Sequence, residues 1–361
     1  MLDQAKILSD SGHEVTIIAL SGRLSPPENV EVRLLMRPFG FYIDRMRYLT
    51  VPFDPISVAR NIRYLARFDL LIAHYYPMTW LSELTRRVRG SKYILYNHGI
   101  LDTTTQDKRL IEKAYVRLLS LLYASTIGKP DAIVSISEYT RLQLRNQTGL
   151  ESRVIPNPID TKRFNPEIDS GRVRTKHNLG TAPVLLFVGL IEPRKGIHML
   201  VQVHKAVRKK FPDAKLLIVG RTRYSKYLEF LRGMIDESVM LIGWVDEEEL
   251  PYYFAACDTY VTASSWEGFD LPIAEAQASG KPVVAFDIGS HGEIVKQGVG
   301  GYLVRFGDTD EFTRSVIDLL SNEAMRHEMG TKGRAFISRR YGTENFTRGL
   351  QCVVESVARK R

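Results

Sequence analysis

Only two cysteines, Cys257 and Cys352, occur in 361 residues, with no histidine pattern beside them. That excludes a disulfide framework and a structural zinc site, and both thiols are expected to be small buried residues of a cytoplasmic protein. No run of eighteen apolar residues is present, and the opening "MLDQAKILSDSGHEV" has no basic segment ahead of an apolar one. Neither a secretion signal nor a membrane span is expected, and the sequons at Asn146 and Asn345 then carry little meaning. Acid is in short supply: 41 Asp+Glu face 50 Lys+Arg, a formal charge of +9. That balance favours anionic partners, whether nucleic acid, anionic lipid or a phosphorylated small molecule. The excess is diffuse and lacks a basic run interleaved with aromatics, so no nucleic-acid partner is expected.

What is present is rhythm. A hydrophobic content of 44% over this length is enough for two cores. "HEVTIIAL", "VEVRLL", "DLLIAHYY", "KYILYNHG" and "DAIVSIS" read as buried strands with helical patterns between several of them. "RVIPNPIDTKRFNPE" then gathers prolines and asparagines without a helical period, as a connector does. Beyond it "PVLLFVGL", "AKLLIVG", "VMLIGWV", "DTYVTAS", "KPVVAFD" and "GGYLVRF" are six more strand candidates. The fold class is therefore α/β, with two doubly wound halves facing a central cleft. The expected divisions are 1–160, 161–345, and a last amphipathic helix in 346–361 that can pack back toward the first half.

The beginning is unusual, because "LDQAKILSDSGHEV" is a helix pattern followed at once by a strand. In a doubly wound sheet the first strand is central, and without it a gap with unpaired backbone groups remains. The expectation is that the natural reading frame starts upstream by a strand and its following loop.

"SSWEGFDLPIAEA" holds Glu267 and Glu275 on either side of Pro272. Proline suits a first helical turn, which sets a helix start near Leu271. The N–H groups of Phe269, Asp270 and Leu271 then form a rim able to receive phosphate oxygens, with Glu267 in the preceding loop and Glu275 expected in the first turn. Such carboxylates suit hydroxyls at opposite ends of one elongated ligand better than a shared bond; an end-of-strand charge and a helix-dipole carboxylate are the alternative. In "FVGLIEPRKGIHML" a strand ends at Gly189, and Arg194 and Lys195 precede a helix. Two cations there can neutralise a diphosphate leaving group, or can be a solvated turn. In "GDTDEF", Asp308 and Asp310 form a D-x-D that reads as a helix cap rather than a metal site, so no metal is expected.

Together these stretches resemble the retaining GT-B-fold glycosyltransferases of the group-one or family-four type, related to glycogen synthases. "EGFDLPIAEAQASGKPVVA" is similar to that family's signature, whose paired glutamates fall on Glu267 and Glu275. "VIPNPIDTKRF" resembles its connector and "NHG" a first-domain loop carrying a histidine. The resemblance implies that Glu275 binds donor ribose hydroxyls, that Glu267 contacts the transferring sugar, and that Lys195 holds the diphosphate with Arg194 assisting. His98 would touch the donor sugar near its 6-hydroxyl. Gly189, Phe269, Asp270 and Leu271 complete the donor site. Asp270 stands where the family has glycine, so its carboxylate must point away from the phosphate or toward a sugar hydroxyl.

The implied activity is metal-independent transfer of a hexose from a UDP-, GDP- or ADP-sugar, with retention and without a cofactor, to a glycan, lipid-linked or small-molecule hydroxyl. A sugar-nucleotide epimerase, a sugar phosphorylase and an inactive nucleotide-sugar-binding protein are the competing readings. "KRLIEKAYVRLLSLLYASTIGK", with Lys108, Arg109, Lys113, Tyr115 and Arg117, is either a core helix or a basic face for peripheral contact with the inner membrane surface.

Overall fold

The computed structural model describes residues 2–19, 26–34, 39–43, 46–51, 55–75, 77–99, 117, 121, 127–222 and 224–359. Lys108, Arg109, Lys113 and Tyr115 of the basic stretch lie outside them.

The first half runs α1 (Leu2–Asp10), β1 (Val15–Ala19), β2 (Val30–Leu34), β3 (Phe39–Ile43), β4 (Met46–Val51), α2 (Pro55–Leu65), β5 (Leu70–Ala73), α3 (Met78–Arg89), β6 (Lys92–Asn97), β7 (Ala132–Ser135), α4 (Glu138–Thr148) and β8 (Arg153–Val154). Strands β5-β6-β7-β8 form one parallel sheet in that order. β1 and β2 pair in parallel as a separate sheet, and β3 with β4 is an antiparallel hairpin. No described strand hydrogen-bonds the β1-β2 pair to β5. A cavity of about 1420 Å³ separates them, lined by Val15, Ile17, Leu70 and Ile72 and closed on one face by α1.

The second half runs α5 (Gly171–Lys176), β9 (Val184–Val188), α6 (Ile197–Val207), β10 (Lys215–Val219), α7 (Ser225–Arg232), β11 (Val239–Gly243), α8 (Leu250–Ala256), β12 (Thr259–Thr262), α9 (Leu271–Ala278), β13 (Val283–Phe286), α10 (His291–Ile294), β14 (Gly301–Val304), α11 (Thr309–Ser321), α12 (Glu323–Tyr341) and α13 (Thr343–Arg359). Its six strands are all parallel in the order β11-β10-β9-β12-β13-β14. Helices cover both faces, which is why β12 and β13 are buried at every position and read as unbroken apolar runs. One core cluster joins Leu186, Leu217, Tyr260 and Ile273 on one face, and another joins Leu185, Leu216, Val284 and Phe312 on the other.

The connector after β7 is irregular for most of its length but begins as β8, and the Ile159 N–H donates to the Tyr341 carbonyl at 2.8 Å. Phe346, Leu350, Val353 and Val357 form one apolar stripe of α13. That stripe packs with Ile94 and Tyr96 of β6, Val134 of β7 and Leu8 of α1, so the chain ends on the first half's sheet. The two halves also touch at the cleft: Ser137 Oγ donates to the Gly268 carbonyl at 2.7 Å, and the Glu293 carboxylate accepts from the Glu138 and Tyr139 N–H groups at 2.9 and 2.8 Å.

Candidate active site

In the six-stranded sheet β9 is first in sequence and central in space, with β10 on one side and β12 on the other. The connections therefore diverge at β9 and β12, and a crevice opens outside their carboxyl ends, where doubly wound sheets bind ligands. The loops leaving those two strands carry Arg194, Lys195 and Glu267.

Pro193–Lys195 is a single 3₁₀ turn, ended by Gly196 at φ 62°. A Cβ at Gly196 would lie 2.2 Å from the Ala263 carbonyl oxygen, so glycine is what lets the turn press against the end of β12. Ser265 N–H donating to the Arg194 carbonyl at 2.9 Å ties the two loops. The result is convergence. Lys195 Nζ lies 2.6 Å and Arg194 Nη1 3.0 Å from the same oxygen, Oε1 of Glu267. Arg194 also bonds Glu192 at 2.7 Å through Nη2. Burial works against the Arg194 charge, yet the two glutamates more than offset it and raise its pKa. Lys195 is 9% and Glu267 7% exposed, so this is a covered cluster and not the solvated turn that is the alternative reading.

Helix α9 starts at Leu271, with Asp270 as its N-cap residue and Pro272 in its first turn. The Asp270 side chain does not cap the helix. It turns away to His291, 3.2 Å from Nε2, while His291 Nδ1 lies 2.7 Å from the Phe286 carbonyl. Burial alone would push the Asp270 carboxyl up, but the Lys195 charge and the His291 contact hold it below its ordinary range. Phe269 sets its ring on Tyr341, 5.5 Å between centroids. Gly189 commits its N–H to the Val219 carbonyl at 2.9 Å, and what it offers a ligand is the absence of a side chain. Glu275 is not in the first turn of α9: it is the fifth residue, in the second turn, because the helix is counted from Leu271. It keeps partial exposure, yet desolvation by the surrounding protein pushes its carboxyl up to about 8, against the opposing charge of Arg163.

His98 ends the strand-to-loop passage after β6. Gly268 comes so close that a Cβ there would lie 2.5 Å from the His98 carbonyl oxygen, which brings the histidine loop of one half against the glutamate loop of the other. His98 Nε2 is 2.8 Å from His74 Nδ1, and its ring stacks on Tyr75 with centroids 4.6 Å apart. Desolvation lowers His98 to about 4 and His74 well below its ordinary value. The structure thus brings Arg194, Lys195, Glu267, Asp270 and His98 to one cleft, with Glu275 one turn further along α9. His74, His291 and Glu293 were not anticipated. Each follows or flanks the carboxyl end of a parallel strand, the position at which they could have been found.

Asp308 caps α11, accepting from the Glu311 N–H at 2.9 Å, and Asp310 lies in that helix's first turn. No group of three metal-ligating side chains occurs among the described residues. Cys257 is buried, but Cys352 is exposed, contrary to expectation, because it falls off the apolar stripe of α13 and meets Arg153. No helix among the described residues is long and apolar enough to cross a membrane.

Residues 169–336 match the family described as glycosyl transferases group 1, and residues 1–163 match glycosyltransferase family 4. A GDP-mannose-dependent α-(1-6)-phosphatidylinositol monomannoside mannosyltransferase of Mycolicibacterium smegmatis is 33% identical, over 78% of this chain and 75% of that one. The chain belongs to the group 1 glycosyltransferases. A GDP-mannose-dependent monoacylated α-(1-6)-phosphatidylinositol monomannoside mannosyltransferase of Corynebacterium glutamicum is 30% identical to this glycosyltransferase, with the same coverages of 78% and 75%. The fold is that of HepE from Anabaena, solved with UDP and glucose, at a TM-score of 0.80, 17% identity, and coverage of 98% of this chain and 96% of that one. The glycosyltransferase therefore has two Rossmann-like domains of GT-B type, and the loops that carry His98 and Glu267 meet between them.

Proposed function

We propose that this glycosyltransferase moves a hexose from a nucleoside-diphosphate sugar to an acceptor hydroxyl, with retention at the anomeric carbon and without a metal. The observation that carries the reading is the convergence of Arg194 and Lys195 beside the start of α9 at the β9/β12 crevice. As the bond from the sugar to the diphosphate breaks, negative charge grows on the departing oxygen. Arg194, Lys195 and the N–H groups at the start of α9, from Phe269 to Leu271, are the donors positioned to stabilise it. Glu275 takes the ribose hydroxyls, Glu267 a sugar hydroxyl, and His98 the sugar near its 6-hydroxyl. Among the described residues the buried cleft carboxylates Glu267 and Asp270 are engaged by Arg194 and Lys195 and by His291, and neither is assigned as a covalent nucleophile. The acceptor oxygen attacks from the face the diphosphate leaves, and its proton passes to the departing phosphate oxygen.

The mannosyltransferase relatives make GDP-mannose the first donor to test and a phosphatidylinositol-type lipid the first acceptor. Such an acceptor fits a cytoplasmic protein held peripherally at a membrane surface, a contact that liposome flotation measures.

The experiment is a thermal-shift panel of UDP-, GDP- and ADP-sugars, with and without EDTA, on the wild type and Glu275→Ala. Stabilisation by one donor that survives EDTA and weakens in the variant is expected. A metal requirement, or an inverted anomer in the product by NMR, overturns the reading. Conversion of the donor without acceptor into a rearranged sugar nucleotide would point to an epimerase.

A further inference from the structure

A carboxylate at the N-cap of a helix that receives a diphosphate is a contradiction, because like charges would meet in a covered site. Asp270 is such a carboxylate, 2% exposed, at the start of α9 and two residues from Gly268 at the floor of the cleft. Its contact with His291 resolves the conflict by proton count. His291 is fully buried, and its Nδ1 lies 2.7 Å from the Phe286 carbonyl, which can only accept. Nδ1 therefore carries a hydrogen. Nε2 faces Asp270 Oδ2 at 3.2 Å. Two lone pairs would repel at that distance, so a second proton is shared there. Whether it resides on the ring or on the carboxyl, the pair as a whole is neutral.

We propose that His291 is a positioning residue for donor binding, whose proton cancels the charge of Asp270 and keeps the start of α9 receptive to a diphosphate. The inference rests on the donor reading above and adds to it a residue 21 positions along the chain, behind the loop after β13. The pair also turns the Asp270 side chain off the helix axis, leaving the first N–H groups of α9 to the ligand. Lys195 and Arg194 then face the phosphate without a competing net charge from this quarter, and Glu267 is the carboxylate they hold directly.

The test is a double-mutant cycle read by isothermal titration of GDP, UDP and ADP, with each variant's Tm recorded without ligand. His291→Gln keeps an N–H toward Asp270 but cannot supply the second proton. It should weaken the preferred nucleoside diphosphate by about tenfold or more, an effect that shrinks at high salt. Adding Asp270→Asn removes the charge, and affinity should return to within about threefold of the wild type, as for two residues that act as one unit. Undiminished binding by His291→Gln overturns the inference. So does weak binding that Asp270→Asn does not rescue, which would make His291 a packing residue. Absence of any nucleoside-diphosphate binding by the wild type overturns the proposed function and this inference with it, so the two failures are distinct. Where His291→Gln does not fold alone, the folded double variant with wild-type affinity still supports the charge account, and one with weakened affinity overturns it.

Discussion

Lys195 Nζ lies 2.6 Å from Oε1 of Glu267, with both side chains largely covered and Arg194 bonded to the same oxygen. A carboxylate held by two cations sits where a phosphate oxygen would find the same partners. Lys195→Met leaves Glu267 paired with Arg194 alone, so the fold should survive with a Tm lower by a few degrees. On the proposed mechanism the charge that would meet the leaving diphosphate is lost, and kcat should fall by about 10²- to 10³-fold. Initial rates at saturating donor check this, and an unchanged kcat would remove Lys195 from the leaving-group role.

Glu275 gives the site a pH signature. Its folded pKa of about 8 lies above the ordinary carboxyl value of 4.5, so its contribution to stability is present below 4.5 and lost as pH rises through 8. His98 and His204, both lowered to about 4 chiefly by burial, and His74, also lowered well below its ordinary value by burial, act in the opposite sense. Their contribution is present above 6.5 and lost as pH falls toward 4. Between pH 6.5 and 8 only Glu275 among these groups still changes, so Tm should decline across that window. Glu275→Gln should flatten the decline. On the proposed assignment, ribose hydroxyls donate to an ionised Glu275 carboxylate, so donor binding near pH 7 should also release a proton, seen by titration in buffers of different ionisation enthalpy. Equal proton release from Glu275→Gln would contradict this assignment.

Strands such as β12 and β13 were legible because burial on both faces leaves an unbroken apolar run, and the start of α9 because Pro272 fits nowhere better than a first turn, whereas β3, β4 and the short β8 were not read as strands. The pairing of Arg194 with Glu267 was not, since it depends on β9 and β12 being neighbours although their loops are 73 residues apart. The His74 and His98 contact likewise needs β5 beside β6, and the Asp270 and His291 contact needs the loops after β12 and β13 to meet. Short-range patterns set elements and their ends. Side chains that meet across strand ends are fixed by sheet order, which the apolar runs do not state.

His74 fixes which nitrogen of His98 bears a hydrogen. Both rings are neutral at pH 7, so a single proton is shared in the 2.8 Å contact between His74 Nδ1 and His98 Nε2. If His74 donates, His98 presents Nδ1–H to the cleft. His74→Phe keeps ring packing against Tyr96 but frees the tautomer of His98. Donor KM should rise several-fold while Tm at pH 7 moves little. His74→Gln, whose side-chain amide can again donate to Nε2, should recover part of the loss. Steady-state kinetics on both variants decide it, since a packing role alone predicts equal defects or recovery in His74→Phe.

Glu293 couples the halves by capping a helix it does not belong to. Its two oxygens accept from the first N–H groups of α4, at Glu138 and Tyr139, while its own carbonyl accepts from the Tyr341 hydroxyl at 2.7 Å. Ser137 and Thr140 already form a capping box there, so the helix itself should persist without Glu293. What Glu293→Ala removes is the attachment between domains, about 1–2 kcal/mol for a charge-assisted cap. The expected result is a lowered denaturation midpoint together with a larger radius of gyration in solution scattering, as the cleft opens. On the donor reading proposed above, donor addition should close it again, because the donor would reach the His98 loop of one half and the Glu267 loop of the other. A variant with the wild-type radius and a lower midpoint would mean that Glu293 only stabilises α4, and that the contact between Ser137 and the Gly268 carbonyl suffices to hold the halves together.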